Sequence, residues 1–175
     1  MGETSVFYVP KNQDDWSGRG GELADKLWSL GVFLETPPII ERLRAFMESG
    51  KPLPDCKLDI YQRFGGMGVA DELEDDPVPN YVYDIKCPSC EVDIMDATYD
   101  AWDCDSNVSA KRCRVTCPAC GSTHAAKDLR FGEPMTFARF YVFVSDCERD
   151  EWDPNFRKAL EGIVGPCSEF WEWST

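Results

Sequence analysis

Apolar and polar residues change period several times along the chain, and each change marks an element. Ser5-Val6-Phe7-Tyr8-Val9 is a short apolar run closed by Pro10, the pattern of a strand, and a polar, glycine-bearing loop follows through Gly21. Leu23, Leu27 and Leu30 recur at helical spacing and predict a first helix ending at Gly31. Thr36 followed by Pro37 reads as an N-cap and first-turn proline. Ile39, Ile40, Leu43, Phe46 and Met47 then form the apolar stripe of a second helix that stops near Gly50. Alternation returns in Lys57 to Phe64, a strand with Leu58 and Ile60 on one side, before a glycine-rich loop. Residues 71–80 are too acidic and proline-rich for a packed element and predict a connector, which leads into a strand over Asn80 to Lys86.

Further along, Asp93 to Trp102 and Arg112 to Thr116 are expected to pair as the arms of a ribbon, with Asp105-Ser106-Asn107 near the bend. Thr136 to Ser145 is the most apolar strand, and its continuous hydrophobicity predicts a central place in the main sheet. Asp153-Pro154 opens a third helix through Val164, Gly165-Pro166 ends it, and Ser168 to Trp173 closes the chain as a short aromatic strand. Strands and helices in this order predict an α+β fold with a mixed sheet and three helices.

Composition changes this picture little but narrows the function. A chain of 175 residues has room for one substantial core and a small appendage, and 43% hydrophobic with 13% aromatic residues predicts folding despite a formal charge of −14. Acidic residues number 32 against 18 basic ones, which opposes binding to nucleic acid or acidic membranes; such a charge more often just keeps a protein soluble, and it can also attract a basic partner. No stretch reaches the length of an uncharged membrane span, and the N-terminus lacks a basic region followed by an apolar one. A cytoplasmic protein is expected. Nine cysteines, an odd number, fit a reducing compartment better than a disulfide framework, and Cys56, Cys104, Cys113, Cys147 and Cys167 stand singly as small hydrophobes or free thiols.

The remaining four cysteines carry the chemistry. Cys87-Pro88-Ser89-Cys90 and Cys117-Pro118-Ala119-Cys120 are two CxxC pairs with 26 residues between them, and each proline pre-sets φ for a tight turn that points two thiols at one ion. Together they can close a tetrahedral four-sulfur site. Over roughly residues 83–130 the sequence resembles the zinc-ribbon family, whose knuckles read CPxCG. The resemblance implies that Cys87, Cys90, Cys117 and Cys120 are the ligands of a structural Zn2+. Glu91 stands where the second glycine belongs, which predicts a first knuckle of different shape from the one ending in Gly121. The run from Cys117 through Lys127-Asp128 to Phe131 is also loosely similar to rubredoxin-type iron sites. Zinc is preferred to iron because the first knuckle lacks the glycine and matching aromatic pattern. Four thiolates leave no open coordination position, so the site is expected to be structural. On this basis residues 1–86 and 131–175 together form one α+β domain, with 87–130 as a zinc-ribbon insertion.

Other residues offer weaker chemical signals. Residues 91–105 hold six acids and no base, whereas 111–130 hold five bases and one acid, so the expected arms carry opposite charge. Lys86, Lys111, Arg112 and Arg114 are expected to offset the thiolates through N–H···S contacts. His124, the single histidine, is a candidate replacement ligand or thiolate contact, and one histidine restricts general acid–base schemes. Asp103, Asp105 and Asn107 imitate a calcium loop, but Val108 stands at its glycine position and Arg114 at its closing glutamate. Phe64-Gly65-Gly66-Met67-Gly68 lacks the Lys-Ser/Thr of a phosphate loop and is followed by acids. Gly18, Gly20 and Gly21 with Arg19 offer a weak anion site that helix entry alone explains. At strand spacing Trp171 and Trp173 share a face, either in the core or as an exposed aromatic anchor ringed by acids.

These features predict a non-enzymatic, zinc-binding, acidic cytoplasmic protein that recognises a protein with a basic surface, as a protein-interaction module or an inhibitor/immunity-like one. Two rivals stand beside it: an enzyme with structural zinc and a carboxylate-based cleft, and a nucleic-acid-binding ribbon using the basic arm.

Overall fold

The computed structural model describes residues 3–28, 44–45, 48–50, 66–79, 81–104, 109–145 and 154–174. In chain order the elements are β1 (Glu3–Pro10), α1 (Gly20–Trp28), β2 (Gly66–Val78), β3 (Ile85–Lys86), α2 (Met95–Cys104), β4 (Arg114–Thr116), β5 (Thr123–Ala125), β6 (Arg130–Phe131), β7 (Thr136–Ser145), α3 (Pro154–Val164) and β8 (Cys167–Ser174). The fold is α+β. Its chain forms two compact units: Met1–Glu72 with Phe140–Thr175, and Leu73–Arg139. All four CxxC cysteines belong to the second unit, which also takes in residues 73–86 and 131–139.

The main sheet has the order β2-β7-β1-β8, and β1 runs antiparallel to both neighbours, with Val6 opposite Val144 and Trp171, and Tyr8 opposite Val142 and Glu169. The apolar run 136–145 thus lies inside the sheet, as its composition predicts. Alternation puts Val6, Tyr8, Phe140, Val142 and Val144 on one face, and all five are buried. Against them sit Leu23 and Leu27, one turn apart on α1, and Phe156, Leu160 and Val164, successive turns of α3. Each such side chain stabilises the unit by about 1.5–3 kcal/mol through the water it excludes. The Tyr8 and Phe156 rings lie 5.7 Å apart, and those of Trp16 and Phe140 6.3 Å. Gly165 ends α3 at φ +84° and donates its N–H to the Glu161 carbonyl, the left-handed exit a glycine permits.

Three expectations are corrected. The glycine-rich loop and the acidic connector at 71–80 are instead the strand β2, which reaches Val78. It is an edge strand, the position in a sheet that admits a proline such as Pro77. The strand expected over 80–86 shrinks to Ile85–Lys86. The supposed arm 93–102 is the helix α2. Ile94 and Thr98 are buried and Ala101 and Trp102 half-buried, a helical and not an alternating spacing. The Asp93 carboxylate accepts the Met95 N–H and so satisfies a free donor of the first turn. The second helix over 36–50, apart from residues 44–45 and 48–50, and the strand 57–64 lie outside the described residues, as do Leu30, Gly31 and the Asp105-Ser106-Asn107 bend.

In the second unit two small antiparallel pairs replace a long ribbon: β3 with β6 and β4 with β5. Val82, Ile85, Ile94, Val115, Ala126 and Leu129 make its core together with Cys87, Cys113 and Cys117. Trp102 and Phe131 each meet Phe137 edge to face, which closes one side of that core.

Candidate metal centre

Each CxxC pair sits on a turn built the same way. In the first, following β3, Cys87 N–H donates to the Val92 carbonyl and Glu91 N–H to the Cys87 carbonyl, both at 2.9 Å. In the second, between β4 and β5, Cys117 N–H donates to the Ser122 carbonyl at 2.8 Å and Gly121 N–H to the Cys117 carbonyl at 2.9 Å. Glu91 has φ +61° and Gly121 φ +72°, so the glutamate adopts the left-handed conformation reserved for glycine in the other knuckle. The expected difference in shape is therefore absent from the backbone. On Glu91 the side chain meets the Arg130 guanidinium in an exposed ion pair.

The two turns bring the four sulfurs together, all within 4.8 Å of one another. Cys87 Sγ and Cys120 Sγ are 3.8 Å apart, and Cys90 Sγ and Cys117 Sγ 3.6 Å. Four sulfurs at 2.3 Å from a central zinc stand about 3.8 Å apart along each edge of the tetrahedron, so these separations match a thiolate cage around one ion. Cys87 and Cys117 are buried, Cys90 is half-buried and Cys120 exposed, which places the cage between the core and the surface.

Polar groups converge on the sulfurs from one side. Ser122 Oγ lies 3.0 Å from Cys120 Sγ and 3.5 Å from Cys87 Sγ. His124 Nε2 is 3.0 Å from Ser122 Oγ, 3.1 Å from Ser89 Oγ and 3.8 Å from Cys87 Sγ. The Ser122 hydroxyl is the main reason the Cys87 thiol is held down at about 5, helped by the backbone N–H groups of Ser89 and Cys90, against the effect of burial. The same hydroxyl, with the Ser122 N–H, lowers the Cys120 thiol. Cys90 moves the opposite way: the Val92 N–H pulls it down, but burial and the neighbouring sulfurs of Cys120, Cys117 and Cys87 outweigh that and push it up to about 12. Sulfurs this close cannot all ionise without a cation between them, and a bound divalent ion deprotonates its thiols outright.

Three of the four cations expected to offset the thiolates, Lys86, Lys111 and Arg112, have other partners. Lys86 Nζ pairs with Asp84 at 3.0 Å and Lys111 Nζ with Asp75 at 2.9 Å, while Arg112 Nε donates to Ser109 Oγ. Serine hydroxyls, backbone amides and His124 reach the sulfurs instead. Ser89 and Ser122 went unrecognised in the sequence, since a serine beside a knuckle has no distinctive spacing. His124 lies outside the four-sulfur group, in the contact role and not the ligand role.

Other candidates are resolved by their surroundings. The Arg19 guanidinium is taken up by Glu22 at 2.8 Å on two nitrogens and lies 4.5 Å over the Trp16 ring, which explains it without an anion. Trp171 packs against the first unit's core and donates its indole N–H to Glu169 at 2.7 Å, whereas Trp173 is 63% exposed, so the pair divides between both expectations. Cys113 and Cys167 are buried, and burial pushes the Cys167 thiol up to about 12. No helix among the described residues is long and apolar enough to cross a membrane. No family model, curated protein or solved structure matches this chain, and the centre is understood from its own geometry.

Proposed function

We propose that the second unit is a zinc-ribbon-like module in which Cys87, Cys90, Cys117 and Cys120 hold one structural Zn2+, and that the chain is a non-enzymatic, acidic cytoplasmic protein, a protein-interaction or inhibitor/immunity-like module whose partner has a basic surface. The single observation that supports the metal is the edge-length match of the paired sulfurs, 3.6 and 3.8 Å. A bound ion would tie the β3 side of the unit to the β4–β5 hairpin and contribute directly to folding. Four thiolates complete its coordination, so water and substrate have no place on it. The formal charge of −14 supports the basic partner.

Metal analysis of the full chain should find one zinc per chain, and Cys87→Ser and Cys117→Ser should each lose it. Unchanged stoichiometric zinc in both variants would overturn the site. Iron in its place would show as visible thiolate-to-metal absorption, which zinc with its filled d shell lacks.

A further inference from the structure

Large hydrophobic side chains that remain exposed are few among the described residues, and two of them stand one residue apart: Tyr81 at 58% and Tyr83 at 47% exposure. They project from residues 81–84, which belong to no sheet, while Val82 between them is buried. The segment is fastened from beneath. Tyr99 of α2 accepts the Val82 N–H at 2.8 Å and donates its own hydroxyl to the Val82 carbonyl at 3.2 Å. The Tyr81 ring lies 6.5 Å from that of Tyr99, and Tyr99 in turn is braced edge-on by Trp102 at 5.2 Å. The outward tyrosines are thus held in place before any partner arrives, which lowers the entropy lost on docking.

Charge supplies the identity of the occupant. Asp96 and Asp103 lie three residues before and four after Tyr99, on the same helical face, with Asp100 beside it, and all three acids are exposed. None of the three forms an ion pair among the described residues, and α2 has no basic residue in its last turn. Asp103 even sits at the helix end where a negative charge is unfavourable, so local stability does not account for this arrangement. Aromatic faces flanked by unpaired carboxylates suit guanidinium groups, which stack on the rings and are hydrogen-bonded at their edges.

We infer that Tyr81, Tyr83 and the Asp96/Asp100/Asp103 face of α2 form the docking surface for an extended, arginine-bearing segment of a partner protein. This rests on the basic-partner half of the proposed function and is independent of the metal. The test is fluorescence anisotropy of a fluorescein-labelled Arg-Gly repeat peptide with the full chain at low salt. The Asp96→Asn/Asp103→Asn double variant and Tyr81→Ala should each weaken binding about tenfold. Asp14→Asn/Asp25→Asn, which removes the same charge from the first unit, should change it by less than about twofold. Equal weakening by the two double variants, or none from either, overturns the surface and leaves a diffuse acidic attraction. Absence of binding by the unaltered chain overturns both the surface and the basic-partner reading, while the zinc content decides the metal separately.

Discussion

Glu91 and Gly121 hold equivalent places in the two knuckles: each donates its N–H at 2.9 Å to the carbonyl of the cysteine four residues earlier, at φ +61° and +72°. A turn that aims two thiols at one ion needs this left-handed residue, whatever its side chain.

The two positions should therefore respond oppositely to substitution. A Cβ added at Gly121 meets nothing within 4 Å, so Gly121→Ala carries only the backbone penalty and should destabilise the metal-loaded chain by about 1–2 kcal/mol. Glu91→Gly relieves the same penalty and gives up only an exposed ion pair with Arg130, so it should be neutral or stabilising by up to about 1 kcal/mol. Urea unfolding of both variants checks the opposite signs.

Ser122 should matter to the metal although it is no ligand. Its hydroxyl touches Cys120 and Cys87 and bonds His124, so Ser122→Ala removes the hydroxyl that the two sulfurs share and leaves the imidazole with Ser89 alone among its hydroxyl partners. Metal affinity should fall by about 10-fold or more, whereas Ser122→Thr, which keeps a hydroxyl, should retain most of it. Competition with a chromophoric chelator measures both.

Acid should attack the first unit through Glu161. Its carboxylate accepts the Cys167 N–H at 3.1 Å and the Arg157 Nε–H at 3.2 Å, and these contacts, the backbone amide foremost, hold it below its ordinary value of 4.5. With the folded value depressed, the stabilisation is complete above pH 4.5 and is lost as pH falls through the lower folded value. Glu161→Gln should therefore be less stable near neutrality and decline less steeply below pH 4.5, a difference read from unfolding curves across that range. A wild-type slope in the variant would count against it.

Legibility in the sequence followed the range of the interaction. The strands at 3–10 and 136–145 and the helices at 20–28 and 154–164 were readable because period, proline and glycine act within a few residues. The helix at 95–104 was misread because Asp-Ala-Thr-Tyr-Asp-Ala-Trp-Asp alternates well enough to imitate a strand. Its real partner is the core formed by Ile85, Val115 and Leu129, distant in the chain. The strand 66–78 was missed for the converse reason: its acids argue against packing, and only the ladder of a sheet edge holds it extended.

By itself the sequence determined the α+β class, the net negative charge and the two cysteine pairs, since each depends on residue type and short spacing. Tertiary structure alone decided that the pairs meet at 3.6–3.8 Å, that Ser122 and His124 cap them, and that Glu91 takes a glycine's conformation. It likewise set the Tyr81 ring 6.5 Å from that of Tyr99. Those relationships join residues that are far apart in the chain, and their energy exists only once the backbone has brought them into contact.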